Sequence, residues 1–168
     1  GDVSGKGIPA AMVMSMMHSL FSLASVDDDD PVSIITALNG EGCRNNDAGM
    51  FVTCFLGVLD LASGRLHYCN AGHDRPLLVS DTVEELPSDA NLPIGAFNDT
   101  VFAGHERMLA PGTTIFLYTD GLTEARDPGH RMFTKDRVKR ILDELDRSAA
   151  PKEMLSAVGA EVRSFMHG

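Results

Sequence analysis

Apolar positions near the start of the chain recur at helical spacing. From Pro9 onward, Met12, Val13, Met16, Met17, Leu20, Phe21 and Ala24 form one stripe, with Ser15, His18, Ser19 and Ser22 opposite, the mark of an amphipathic helix. Pro9 fits its first turn, where a missing N–H costs nothing. Met12, Met14, Met16 and Met17 make the apolar side adaptable. A second helix is predicted from Pro31, with Asp30 as its N-cap and Ile34, Ile35 and Leu38 on its buried side. The run Asp27 to Asp30 then reads as a solvated loop facing the positive end of that helix.

From Met50 the period changes to two. Phe51, Thr53, Phe55 and Leu59 point one way and Val52, Cys54, Leu56 and Val58 the other. Both sets are apolar, which predicts a central strand, Phe51 to Leu59, buried on both faces. Leu61-Ala-Ser-Gly64 supplies a hairpin connection and Leu66 to Ala71 the returning strand. Shorter strands are predicted at 76–79, 83–86, 101–108 and 114–118. The last third is helical. Thr134 is placed to cap a helix lined by Val138, Ile141, Leu142 and Leu145, and Pro151 opens another with Leu155, Val158, Val162 and Phe165 inward. Two helices, many strands and two helices, with strands covered on both sides, predict an α+β fold: a four-layer α-β-β-α sandwich of two antiparallel sheets.

Composition narrows the function. The chain has 168 residues, is 43% hydrophobic and carries a formal net charge of −10, enough apolar material for one domain, 1–168, with a substantial core. No Lys/Arg cluster is present to neutralise successive phosphates, so no nucleic-acid partner is expected. No apolar run reaches the roughly 20 residues of a membrane span, so no membrane insertion is expected. Cys43, Cys54 and Cys69 lack metal-ligand spacing, and two lie in apolar strands, which predicts reduced thiols and a cytoplasmic location.

The chemistry concentrates in the opening residues. Asp2 and Val3 read as the end of a strand, and Ser4, Gly5 and Gly7 as a turn needing permissive backbone angles. The segment is not a phosphate-cradling Walker loop: the gap between Gly1 and Gly5 is one residue short, and Gly7 stands where a hydroxyl is required. Asp120, in Thr119-Asp120-Gly121, repeats the context of a strand followed by a glycine turn. Two such carboxylates brought together repel one another unless a cation lies between them, and oxygen-only ligation suits Mg²⁺ or Mn²⁺. Asn70 is read as satisfying turn backbone. Lys6 and His73 are weaker candidates for contact with a substrate phosphate or leaving group.

Asp2-Val-Ser-Gly-Lys-Gly-Ile-Pro-Ala-Ala11 also resembles the signature of the bacterial PPM-type protein serine/threonine phosphatases, in the branch of sporulation stage II protein E and the sigma-B regulators. Phe51-Val-Thr-Cys-Phe-Leu-Gly-Val-Leu-Asp60, Asn70-Ala-Gly-His73 and Leu117-Tyr-Thr-Asp-Gly-Leu-Thr-Glu-Ala-Arg126 match the same branch in the same order, and Leu92-Pro-Ile-Gly95 adds a fifth segment. The resemblance implies the sandwich fold and a metal-dependent phosphatase acting on a phosphorylated anti-sigma-factor antagonist. It also implies a site in which Asp2 bridges two divalent ions, the Val3 carbonyl completes one, and Asp120 holds the other side. A non-catalytic, partner-binding domain of the same fold is the alternative. The family places further carboxylates before the first segment and after the last helix, and usually Gly where Thr134 stands. The chain is therefore expected to lack the first and last strands, to hold one metal ion or none, and to turn over weakly. Its open sheet edges are expected to favour a homodimer.

Overall fold

The computed structural model describes residues 1–26, 28–44, 46, 49–146 and 148–168; Asp27 of the predicted acidic run lies outside the described residues. The chain forms two compact units: Gly1–His73 with Ser88–Ala110, and Asp74–Pro87 with Pro111–Gly168.

The first unit holds β1 (Asp2–Val3), α1 (Ile8–Ala24), α2 (Pro31–Arg44), β2 (Val52–Asp60), β3 (Arg65–Ala71) and β6 (Gly104–Met108). Its sheet runs β1-β2-β3-β6, antiparallel at every pairing. Asp30 caps α2 as its sequence indicates, accepting the Val32 N–H at 3.3 Å and the Ser33 N–H at 3.1 Å. In the hairpin between β2 and β3, Asp60 accepts the Ala62 N–H at 2.9 Å and the Ser63 hydroxyl at 2.6 Å. The core joins Met17, Ile34, Ile35 and Leu38 to Val52, Cys69, Ala71, Ile94 and Phe102. Buried Asn39 ties the 88–103 excursion to α2: its Nδ2 donates to the Phe97 carbonyl at 3.0 Å, and its Oδ1 accepts the Gly95 N–H at 2.8 Å.

Three expectations for this unit are corrected. β2 is central, between β1 and β3, but it is not buried on both faces: Phe51 and Leu59 are each 40% exposed. The helical core packs on the set that carries Val52, Cys54 and Leu56; an apolar run shows only that a second cover is tolerated. On α1, Met12 is 68% exposed and Phe21 sits at the surface, because Met17, Val13, Met14, Met16, Leu20 and Ala24 already fill the contact. The edge strand β6 begins at Gly104, and Val101 is exposed outside it.

The second unit holds β4 (Leu77–Val79), β5 (Val83–Glu85), β7 (Thr114–Phe116), α3 (Asp120–Thr123), α4 (Lys135–Glu144) and α5 (Pro151–His167). Its antiparallel sheet runs β5-β4-β7, and β4, all apolar, is wholly buried. Phe116, Tyr118, Phe133, Val138, Leu142, Met154 and Val158 pack with Leu77 and Val79. Phe165 meets the edge of Phe133 at 5.3 Å between ring centroids, and Arg137 lies 4.6 Å over the Phe165 ring. Lys135 reaches Glu85 at 2.9 Å, joining α4 to β5. On α5, Val158, Val162 and Phe165 pack inward as predicted, but the first inward position is Met154, with Leu155 62% exposed.

Thr134 precedes α4 but makes no capping bond with its side chain; its φ is 69° and its ψ 151°. That backbone region is essentially reserved for glycine, which gives a physical reason for the Gly expected there from the resemblance. Among the described residues, no helix is long and apolar enough to cross a membrane.

Candidate active site

β1 is only two residues long, and its neighbours hold it. Asp2 pairs with Thr53 and Val3 with Val52. The Ser4 N–H donates to the Phe51 carbonyl, and the Phe51 N–H donates back to Ser4 Oγ, both at 2.8 Å. The chain then turns through Gly5 at φ 82° and Gly7 at φ 79°, the left-handed angles for which glycine is suited. Pro9 enters α1 in its first turn. Asp2 is half-buried, and its Oδ1 accepts the Val3 N–H at 3.0 Å. Lys6 is exposed at the crown of this turn.

Cross-strand partners present their side chains on one face, so Thr53 shares the face of Asp2. Thr53 Oγ1 lies 3.4 Å from the Asp2 main-chain oxygen and 2.8 Å from His73 Nδ1. His73 is set by the turn that ends β3. Its N–H donates to Asn70 Oδ1 at 2.8 Å, and Asn70 Nδ2 donates to the His73 carbonyl at 2.9 Å and to Ser88 Oγ at 3.3 Å. Between them Gly72 has φ 70°, and a β-carbon there would meet Pro93 at 2.9 Å. Asn70 thus serves turn backbone, as its residue type indicates.

In the second unit, Asp120 opens the four-residue α3 instead of ending a strand. β7 stops at Phe116, and Thr119 at φ −112° and ψ 167° leads into the helix. The Asp120 carbonyl accepts the Glu124 N–H at 2.7 Å and the Thr123 hydroxyl at 3.3 Å. Asp120 itself is exposed. Tyr118, two residues earlier, is buried, and its hydroxyl finds no hydrogen-bond partner among the described residues. Burial, then the charges of Asp74 and Glu85, push its pKa up to about 12. Asp127 is committed to structure: it accepts the Arg131 N–H at 2.8 Å and the guanidinium at 2.7 Å. These bonds, led by that main-chain N–H, hold its carboxyl below the usual range.

The fold therefore gathers Asp2, Val3 and His73 at one corner of the first unit, and Asp120 stands in the second. Sequence reasoning missed Thr53. The signal was present: Thr53 is the one hydroxyl-bearing residue in Val52–Asp60, in a strand otherwise apolar up to its terminal Asp60. The cysteines are free thiols. Cys69 is fully buried, and burial pushes its pKa up to about 11 and also raises that of Cys54, which leaves both poor nucleophiles.

Among the described residues, no three His, Cys, Asp or Glu side chains converge as a metal cluster. The donors that are present are carboxylates and main-chain carbonyls, the hard oxygens that Mg²⁺ or Mn²⁺ takes. Mg²⁺ is commonly held through one or two carboxylates with several waters retained. The donor set fits such an ion in type.

The family model for stage II sporulation protein E (SpoIIE) matches residues 1–168. The chain is 30% identical over 151 residues to the phosphoserine phosphatase RsbU of Bacillus subtilis (strain 168), a match that covers 88% of this chain and 45% of RsbU. Among solved structures, the RsbU and RsbW domains of Rv1364c from Mycobacterium tuberculosis match with a TM-score of 0.77 at 28% identity, over 98% of this chain and 46% of that one. The PP2C phosphatase domain of SpoIIE from Bacillus subtilis, solved with a fragment of its regulatory domain, matches with a TM-score of 0.80 at 21% identity, over 96% and 47%. The last likeness speaks to the fold alone. This chain spans less than half the length of each of these proteins.

Proposed function

Because the chain belongs to the stage II sporulation protein E family over its whole length, we propose that it is a metal-dependent protein serine/threonine phosphatase domain. Its proposed substrate is a phosphoserine or phosphothreonine on a small partner of the anti-sigma-factor antagonist type. The observation that carries this reading is the corner at Asp2, where a half-buried carboxylate is registered against Thr53 just before a left-handed glycine turn. RsbU, the 30% identical relative, is a phosphoserine phosphatase.

In this reading Asp2, the Val3 carbonyl and Asp120 hold Mg²⁺ or Mn²⁺. Such an ion, when bound, lowers the pKa of water and offsets charge on phosphoryl oxygens. The remaining work falls to the chain. With a formal net charge of −10, it repels a phosphate dianion unless a cation stands at the site. Lys6 is the one Lys or Arg before Arg44, and from the turn beside Asp2 it is placed to attract the phosphate. Main-chain pairing of Ser4 with Phe51 keeps the Asp2 strand in register, so its carboxylate has no need to reorganise as charge develops.

A second reading, a partner-binding domain without turnover, is favoured by the absence of a three-ligand cluster among the described residues. One experiment separates the two. Phosphate release from a phosphoserine peptide is measured with and without Mn²⁺, on residues 1–168 and on the chain with whatever flanking residues its reading frame supplies. Mn²⁺-dependent release that falls about a hundredfold or more in both Asp2→Asn and Asp120→Asn, with folding intact, supports the phosphatase. No Mn²⁺-dependent release in either form, or unchanged turnover in both variants, overturns it.

A further inference from the structure

The contacts around Thr53 define a protonation pattern. A hydroxyl has one proton to give and lone pairs to receive. Thr53 Oγ1 lies 3.4 Å from the Asp2 carbonyl, which only accepts, and 2.8 Å from His73 Nδ1, which donates or accepts according to its tautomer. If Thr53 gives its proton to His73, its 3.4 Å approach to Asp2 carries no hydrogen bond. If Thr53 donates to Asp2, then Nδ1–H must donate to Oγ1, and each contact carries one proton.

From this geometry we propose that Thr53 is a positioning residue that holds neutral His73 as its Nδ1–H tautomer and couples that ring to the Asp2 strand. The consequence is chemical. With the proton on Nδ1, the lone pair sits on Nε2, the nitrogen farther from the backbone. Several elements hold the arrangement: the β1–β2 register brings Thr53 to Asp2, and the paired bonds of Asn70 fix the His73 main chain. Thr53 needs no contact with a reacting atom; it acts through His73. The inferred role in phosphate chemistry rests on the phosphatase reading, whereas the tautomer does not.

The test reads the tautomer first. Long-range ¹H–¹⁵N spectra of residues 1–168 resolve protonated from unprotonated ring nitrogens, with His73→Gln assigning the signal among six histidines. Wild type and Thr53→Ser are expected to show His73 protonated at Nδ1. Thr53→Val, close in shape and without the hydroxyl, is expected to shift the ring towards Nε2–H while the remaining spectrum stays that of a folded chain. His73 protonated at Nε2 in wild type, or an identical tautomer in wild type and Thr53→Val, overturns the proposal. Should Thr53→Val fail to fold, the wild-type and Thr53→Ser spectra still decide it. In a form that releases phosphate, Thr53→Val is expected to lower kcat about tenfold to a hundredfold, the range for residues that orient a ligand, with KM little changed and Thr53→Ser restoring it. An Nδ1–H ring in a chain without phosphatase activity leaves the proposal standing and removes only the functional reading above.

Discussion

The corner at Asp2 and the turn at Asp120 carry the two carboxylates proposed to share one function, yet they are built differently. Asp2 is held by residues far along the chain: Phe51 and Thr53 across the strand pair, and His73 beyond them, itself fixed by Asn70. Asp120 is held by its next neighbours, with Thr123 and Glu124 returning to its carbonyl within four residues. A carboxylate whose main chain is stitched in by long-range pairing is positioned only when its whole unit folds. One seated in a single turn has its own main-chain bonds within four residues, and the turn is joined to the rest of its unit by the Thr134 N–H on the Thr123 carbonyl. The first corner is therefore the more fragile, and the second unit stores its strain elsewhere, at Thr134.

Asn70→Ala should break the first corner most severely. Asn70 is buried, and its side chain satisfies both the N–H and the carbonyl of His73. Leaving these groups unpaired is expected to cost about 2–3 kcal/mol, read as a lower urea midpoint, together with a displaced His73 signal. An unchanged midpoint would mean that the turn is held by its glycine alone. Thr134→Gly should act in the opposite direction on the second unit. Relief of a glycine-only conformation outweighs the greater freedom of glycine in the unfolded chain, and a gain of about 1 kcal/mol is expected in denaturant unfolding. A loss there would show that the Thr134 side chain contributes packing that exceeds its strain.

The smallest effect is a pH dependence confined to the second unit. Because Arg131 holds the Asp127 carboxyl below its ordinary value, that bond contributes stability above the unfolded pKa of about 4. The contribution is lost as pH falls through the folded pKa. Thermal midpoints of wild type should therefore decline more on acidification than those of Asp127→Asn, with no difference in slope towards neutral pH. Parallel curves would remove the Asp127–Arg131 pair from the acid response.

Much of this was legible because it is local. Pro9 and Pro31 announce helix starts, the Asp30 side chain reaches N–H groups two and three residues ahead, and Gly5 and Gly7 carry the positive φ their spacing implied. The period-two pattern located β2 and β3, and four ordered motifs located the family. The misjudged positions depended on distant neighbours. Phe51 and Leu59 are apolar but half-uncovered, and Leu155 yields its place to Met154, because the partner surface decides which side of a stripe is buried.

Residue types and spacings along the chain determined the elements, the two candidate carboxylates and the chemistry suited to them, since each rests on interactions within a few residues or on side-chain identity. Only the tertiary structure decided that Thr53 stands opposite Asp2 and against His73. A strand's register is a property of pairing: slipping it by one residue would turn the Thr53 hydroxyl to the other face, and no local pattern records which of the two registers the sheet adopts.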